Sequence, residues 1–171
     1  MNTFVKVFLV SFLFLVIGCS TEVEEVVVPV VEVTNRIDMS DQGLPLSFEK
    51  LKNNTLDQQP TVVFNEQLGR FDITLDESLK FCISEEQISI DKIKQELRND
   101  LLFTYKFYDE GTDALLYQAV LPDGTEYLYQ YVKTLQVGDT SYLMFSDKDS
   151  EFSLQQIKLI KKVINSVSPL E

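Results

Sequence analysis

The sequence predicts an α+β fold, an antiparallel β-sheet of about six strands packed by two helices. Three observations carry it. From Phe71 to Ser84 apolar residues sit at odd positions and polar ones at even positions, broken only at Glu77; that period belongs to a half-buried strand. From Leu102 to Ser146 strand-like runs are separated by short loops that contain Gly111, Gly124 and Gly138, the pattern of an antiparallel meander. The run after Ser153 then changes to helical spacing.

Taken in order, Gly43-Leu44-Pro45-Leu46-Ser47-Phe48 predicts a turn and a short edge strand. Asn53-Asn54-Thr55 and Asp57 to Pro60 read as loop, Thr61 to Asn65 as a strand, and Gln67 to Arg70 as a turn. The alternating stretch forms one long strand or two around a bend at Asp76-Glu77-Ser78. Ser89 or Asp91 can cap a first helix, with Ile90, Ile93, Leu97 and Leu101 on one face and Asn99-Asp100 at its end. Four strands follow, at 102–108, 113–121, 125–136 and 140–146, and Pro122-Asp123-Gly124 makes the middle turn.

The last helix has the fullest signature. Ser153 and Gln156 form a capping box, and Phe152 can meet Ile157 as a hydrophobic staple. Leu154, Ile157, Ile160, Ile164 and Val167 line one face, and Pro169 stops the helix.

Three segments organise the chain: 1–18, 19–37 and 38–171. Val7 to Ile17 is apolar except for Ser11, too short for the ~20 residues that span a bilayer and about right for an export signal. It closes on Val16-Ile17-Gly18-Cys19. These residues resemble the lipobox of bacterial lipoproteins. That resemblance implies cleavage before Cys19, a diacylglyceryl group on its thiol and an acylated amine. Two or more chains anchor a protein stably. The membrane, reached through lipid on Cys19, is thus an expected partner.

Residues 20–37 read as a tether, because Glu22, Glu24, Glu25 and Glu32 interrupt a valine-rich run that Pro29 splits. The β-propensity of Val26 to Val33 makes a strand the alternative. Position 20 is Ser, not the Asp that retains lipoproteins at the inner membrane, so the resemblance implies the outer membrane. The acidic cluster after Cys19 also resembles surface-export signals of some Gram-negative lineages.

Composition removes several functions. The net charge is −12, and losing Lys6 with the export segment makes it more negative; nucleic acid is not an expected partner. Histidine is absent, which excludes Ser-His-Asp and Cys-His catalysis and His-ligated metal sites. With Cys19 lipidated, Cys82 has no disulfide partner in the chain. The 12 Phe and 7 Tyr must then supply a core that holds without crosslinks.

Tyr131-Val132-Lys133, Tyr142-Leu143-Met144-Phe145 and Glu151 to Ile157 resemble the C-terminal half of small Gram-negative lipoproteins of unknown role, and Gly43-Leu44-Pro45 resembles their opening turn. Those proteins resemble the PsbP-like α/β/α sandwich. The resemblance implies a fold, and mostly non-enzymatic binding or assembly modules. It carries no functional residue across.

Candidate chemistry is sparse. Asp147, Asp149 and Glu151 are spaced like the start of a calcium loop, but the loop Gly is missing and Lys158 stands where a bidentate Glu belongs; a solvated turn before a helix is expected, and no metal or cofactor. Tyr127, Tyr129 and Tyr131 alternate along one predicted strand. On a shared face they would make either a stacking platform for a sugar or peptide, or core with hydroxyls at the rim. Cys82 alternates with polar residues, which suits partial exposure, but a reactive thiol needs cationic neighbours and Lys80 is the only adjacent one, so inert packing is the favoured expectation.

The expectation is a lipid-anchored, non-catalytic interaction or assembly module with an envelope protein as partner. A small-ligand binder using the tyrosine face is the alternative, and a hydrolase the remaining enzymatic one.

Overall fold

The computed structural model describes residues 36–51 and 59–170. The export segment, Cys19, the tether as far as residue 35, and Asn53-Asn54-Thr55 and Asp57 lie outside the described residues. The elements run β1 (Arg36–Asp38), a 3-10 turn (Ser40–Gln42), β2 (Leu46–Glu49), β3 (Thr61–Asn65), β4 (Arg70–Asp76), β5 (Leu79–Glu85) and α1 (Ile90–Arg98). Then come β6 (Thr104–Glu110), β7 (Ala114–Val120), β8 (Glu126–Val137), β9 (Thr140–Ser146), α2 (Leu154–Ser166) and β10 (Ser168–Pro169).

The fold is α+β, with two helices packed on an antiparallel seven-stranded sheet of order β3-β4-β5-β9-β8-β7-β6. The expected meander is its second half, with β6 to β9 as sequential neighbours. The alternating stretch is two strands, and its bend is built by Asp76, whose carboxylate accepts from the Ser78 amide at 2.7 Å and hydroxyl at 2.9 Å. Pairing of β5 with β9 joins the two halves. At the middle turn Gly124 takes φ 85°, a conformation that disfavours side chains.

Successive residues face opposite sides of this sheet, and the sides carry separate cores. Ile73, Phe81, Ile83, Leu116, Tyr131 and Met144 pack with Ile157, Ile160, Val163 and Ile164 of α2. Leu115, Tyr117, Val132 and Leu143 pack with Ile90 of α1 and lie on the other side. The capping box starts α2 as expected: Ser153 Oγ accepts from the Gln156 amide, and Gln156 Oε1 accepts from the Ser153 amide at 3.0 Å. Ser89 rather than Asp91 caps α1, accepting from the Lys92 amide at 3.2 Å. Leu101, expected on the face of α1, lies beyond its end and is 97% exposed. The helix stops at Asn99, and Asp100 turns the chain by accepting from the amides of Leu102 and Phe103.

A second sheet of three strands, β1-β2-β10, was not legible in the sequence. It moves two boundaries. Arg36 and Ile37, expected in the tether, belong to β1 and pair with Glu49 and Phe48. The β2 strand, expected at an edge, is central, flanked by β1 and β10. Arg36 explains the first change. Its guanidinium donates to the Ser47 hydroxyl and carbonyl, the Ser166 carbonyl and the Ser168 hydroxyl. It therefore joins the start of the folded chain to the end of α2.

Candidate functional site

Helix α1 is nine residues long and covers only part of its side of the sheet. Beside it a groove of about 310 Å³ opens. Ile93 and Leu97 form the helix wall; Tyr117, Val132, Leu143 and Phe145 form the floor. These positions follow from periodicity. Ile93 and Leu97 are four apart on the helix, and Leu143 and Phe145 are two apart on β9. The rim carries Glu86, Glu96 and Asp100 against Lys148. The Tyr105 hydroxyl donates to Asp100 at 2.7 Å. That bond, with the two backbone amides, holds the Asp100 carboxyl below the usual range. Lys148 Nζ lies 5.5 Å from the centre of the Phe145 ring, within cation–π distance.

The three tyrosines expected on one face do not share one. Tyr131 is buried in the α2 core, donates to Asn165 Oδ1 at 2.7 Å, and has its phenol pushed up to about 12 chiefly by burial. Tyr129 is half-buried, with its ring 5.7 Å from that of Tyr108. Tyr127 is exposed and stacks on Phe103 at 5.9 Å, while Phe103 also meets Tyr105 and Tyr105 meets Tyr117 of the α1 side. The cause is a register shift. Gln118 pairs with Tyr129 but Val120 pairs with Glu126, so β8 holds an extra residue there. A bulge of this kind reverses the alternation, and Tyr127 leaves the side of Tyr129 and Tyr131.

A second cleft, of about 390 Å³, lies on the other half of the sheet, lined among others by Arg70, Asp72, Lys80, Cys82 and Asp147. Three of its charges are paired, Arg70 with Asp72 and with Asp147. Arg70 Nε donates to Asp72 at 2.7 Å, and Arg70 Nη2 lies 3.6 Å from Asp147. Burial pushes Asp72 up, but hydrogen bonds from Asn65 and Cys82 and the charge and hydrogen bond of Arg70 outweigh it, leaving the carboxyl below its usual range.

Cys82, whose place among polar residues suits partial exposure, is 1% exposed. It lies on the interior strand β5, between Asp72 of β4 and Phe145 of β9, at the floor of this cleft. Burial, then donation to Asp72 at 3.3 Å, raises its thiol far above the usual value. A thiol in that state is a poor nucleophile.

Asp147, the first residue of the calcium-like stretch, accepts from the Ser150 hydroxyl at 2.8 Å and faces Arg70; this is a turn closed on itself.

No family model, curated protein or solved structure matches this chain. Among the described residues no helix is long and apolar enough to cross a membrane.

The edge of the sheet offers a second kind of surface. Among the described residues β3 pairs only with β4. Val63 is 60% exposed and Phe64 51%, and as strand neighbours they point to opposite sides. Sequence reasoning missed the groove because its floor lies on three strands well downstream of its helix wall, between Tyr117 and Phe145. Only the order of strands brings them together.

Proposed function

We propose that this chain is a lipid-anchored, non-catalytic interaction module of the outer membrane, held by lipid on Cys19. The observation that carries it is the run Val16-Ile17-Gly18-Cys19 behind a short apolar segment. What supports the interaction half is the edge strand β3. Its edge, unpaired by a second strand among the described residues, and exposed Val63 and Phe64 suit an extended segment of an envelope protein, added as a further strand. What supports a PsbP-like α/β/α sandwich as the finer architecture is the packing of α1 and α2 on opposite sides of one antiparallel sheet. The absence of histidine removes the common hydrolytic triads, and the 1% exposed Cys82 thiol, its pKa raised by burial, is a poor nucleophile.

Fractionation of cells producing the wild-type chain and Cys19→Ser tests the anchor. Wild type should take up labelled fatty acid and sediment with membranes, and the variant should do neither. Crosslinking in intact envelopes tests the module. A discrete protein adduct should form with wild type and be lost with Val63→Lys. Normal lipid labelling of Cys19→Ser contradicts the anchor, and an adduct unchanged by Val63→Lys contradicts the edge.

A further inference from the structure

We propose that the groove beside α1 binds a small organic cation, its apolar body between Leu97 and Val132 and its charged head on the Phe145 ring, where Lys148 sits in the free chain. This goes beyond the anchored-module reading and does not depend on it. Three observations lead to it.

The first is size. At about 310 Å³ the groove lies at the small end of ligand cavities, which run from ~300 to ~1,000 Å³. It suits a compact molecule better than a peptide helix.

The second is lining. The floor and helix wall are apolar and aromatic, whereas the rim sets three carboxylates, Glu86, Glu96 and Asp100, against one ammonium. Glu86 and Glu96 are exposed, and Glu96 meets Lys92 only at 3.9 Å, across two exposed side chains. Such a pair is weak and is easily exchanged. An apolar body with a positive head fits both parts, and an anion of the same shape meets like charge.

The third is Lys148 itself. Its ammonium already rests 5.5 Å from the centre of the Phe145 ring, within cation–π reach, so a ligand cation would take the place of a tethered one. The other cation near that ring, Arg70, is paired with Asp72 and Asp147. Lys148 is exposed and on a turn, free to swing into water when a better-desolvated cation arrives.

The test is calorimetric titration of the full chain in a non-ionic maltoside detergent, with detergent alone as blank. The probes are benzyltrimethylammonium, benzyl alcohol and phenylmethanesulfonate. The ammonium should bind at least about tenfold more tightly than the sulfonate. Lys148→Gln, which removes the resident cation, should tighten the ammonium by at least about threefold and leave benzyl alcohol unchanged. Phe145→Leu should weaken the ammonium by a similar factor. Glu86→Gln with Glu96→Gln, on exposed positions that the fold does not need, should weaken it as well. These rim changes decide the matter even if Phe145→Leu loses the fold. Equal binding of ammonium and sulfonate, no ammonium binding, or an ammonium affinity unmoved by Lys148→Gln and by the rim changes would overturn the proposal.

Discussion

The Arg36 guanidinium donates to the Ser166 carbonyl at 2.8 Å, across 130 positions of chain. The last turn of α2 leaves carbonyls without helical partners, and a cation at that end also meets the negative end of the helix dipole. One side chain thus closes the helix and holds the small sheet to it. Arg36→Ala should lower stability by about 2–3 kcal/mol, since hydrogen bonds to a charged group are involved and their partners lose a donor. Arg36→Lys should recover only part of it, because an ammonium lacks the fork. A denaturant midpoint series checks both, and an unchanged midpoint in Arg36→Ala would contradict the role.

Ile160 and Leu101 separate core from surface. Ile160 is 0% exposed on α2, and Leu101 is 97% exposed after α1. Ile160→Ala should cost ~2–5 kcal/mol as a large-to-small core change. Leu101→Ala should stay within ~0.5 kcal/mol. Comparable losses at both positions, measured by denaturant unfolding, would contradict the assignment of Leu101 to the surface.

Tyr131 sets an alkaline limit. Its folded value is raised from 10 to about 12, with burial the largest cause and the Asp109 and Asp113 carboxylates acting the same way. A raised value means that the folded chain holds the proton more tightly. The contribution is therefore fully present below pH ~10 and is lost as pH rises toward the folded value. Wild-type stability should fall more steeply than that of Tyr131→Phe between about pH 10 and 12. Parallel pH profiles would contradict this.

Cys82 should be silent toward thiol reagents. In a Cys19→Ser chain, labelling should occur only with unfolding, since the buried thiol resists ionisation. Rapid labelling of the native chain would place Cys82 at an accessible position.

The fold was legible where local chemistry decides it. The Ser153–Gln156 capping box, the break of alternation at Glu77 and the turn at Gly124 each act within a few residues. What the sequence hid depends on distant partners. β1 and β10 are three and two residues long, too short for any periodic signal, and they exist because β2 lies between them. The tyrosine stripe failed for a local reason with a distant cause. The extra residue in β8 is defined only by its pairing with β7, and nothing in the order Tyr127, Leu128, Tyr129 announces it. The groove floor combines β7, β8 and β9 with a helix that precedes all three, so strand order alone creates it.

Lipid on Cys19 is checked by the intact mass of the chain extracted from membranes. The mature chain should begin at Cys19 and carry a diacylglyceryl group with an added acyl chain on its amine. A chain that still begins at Met1, or one cut elsewhere with an unmodified Cys19, would contradict it.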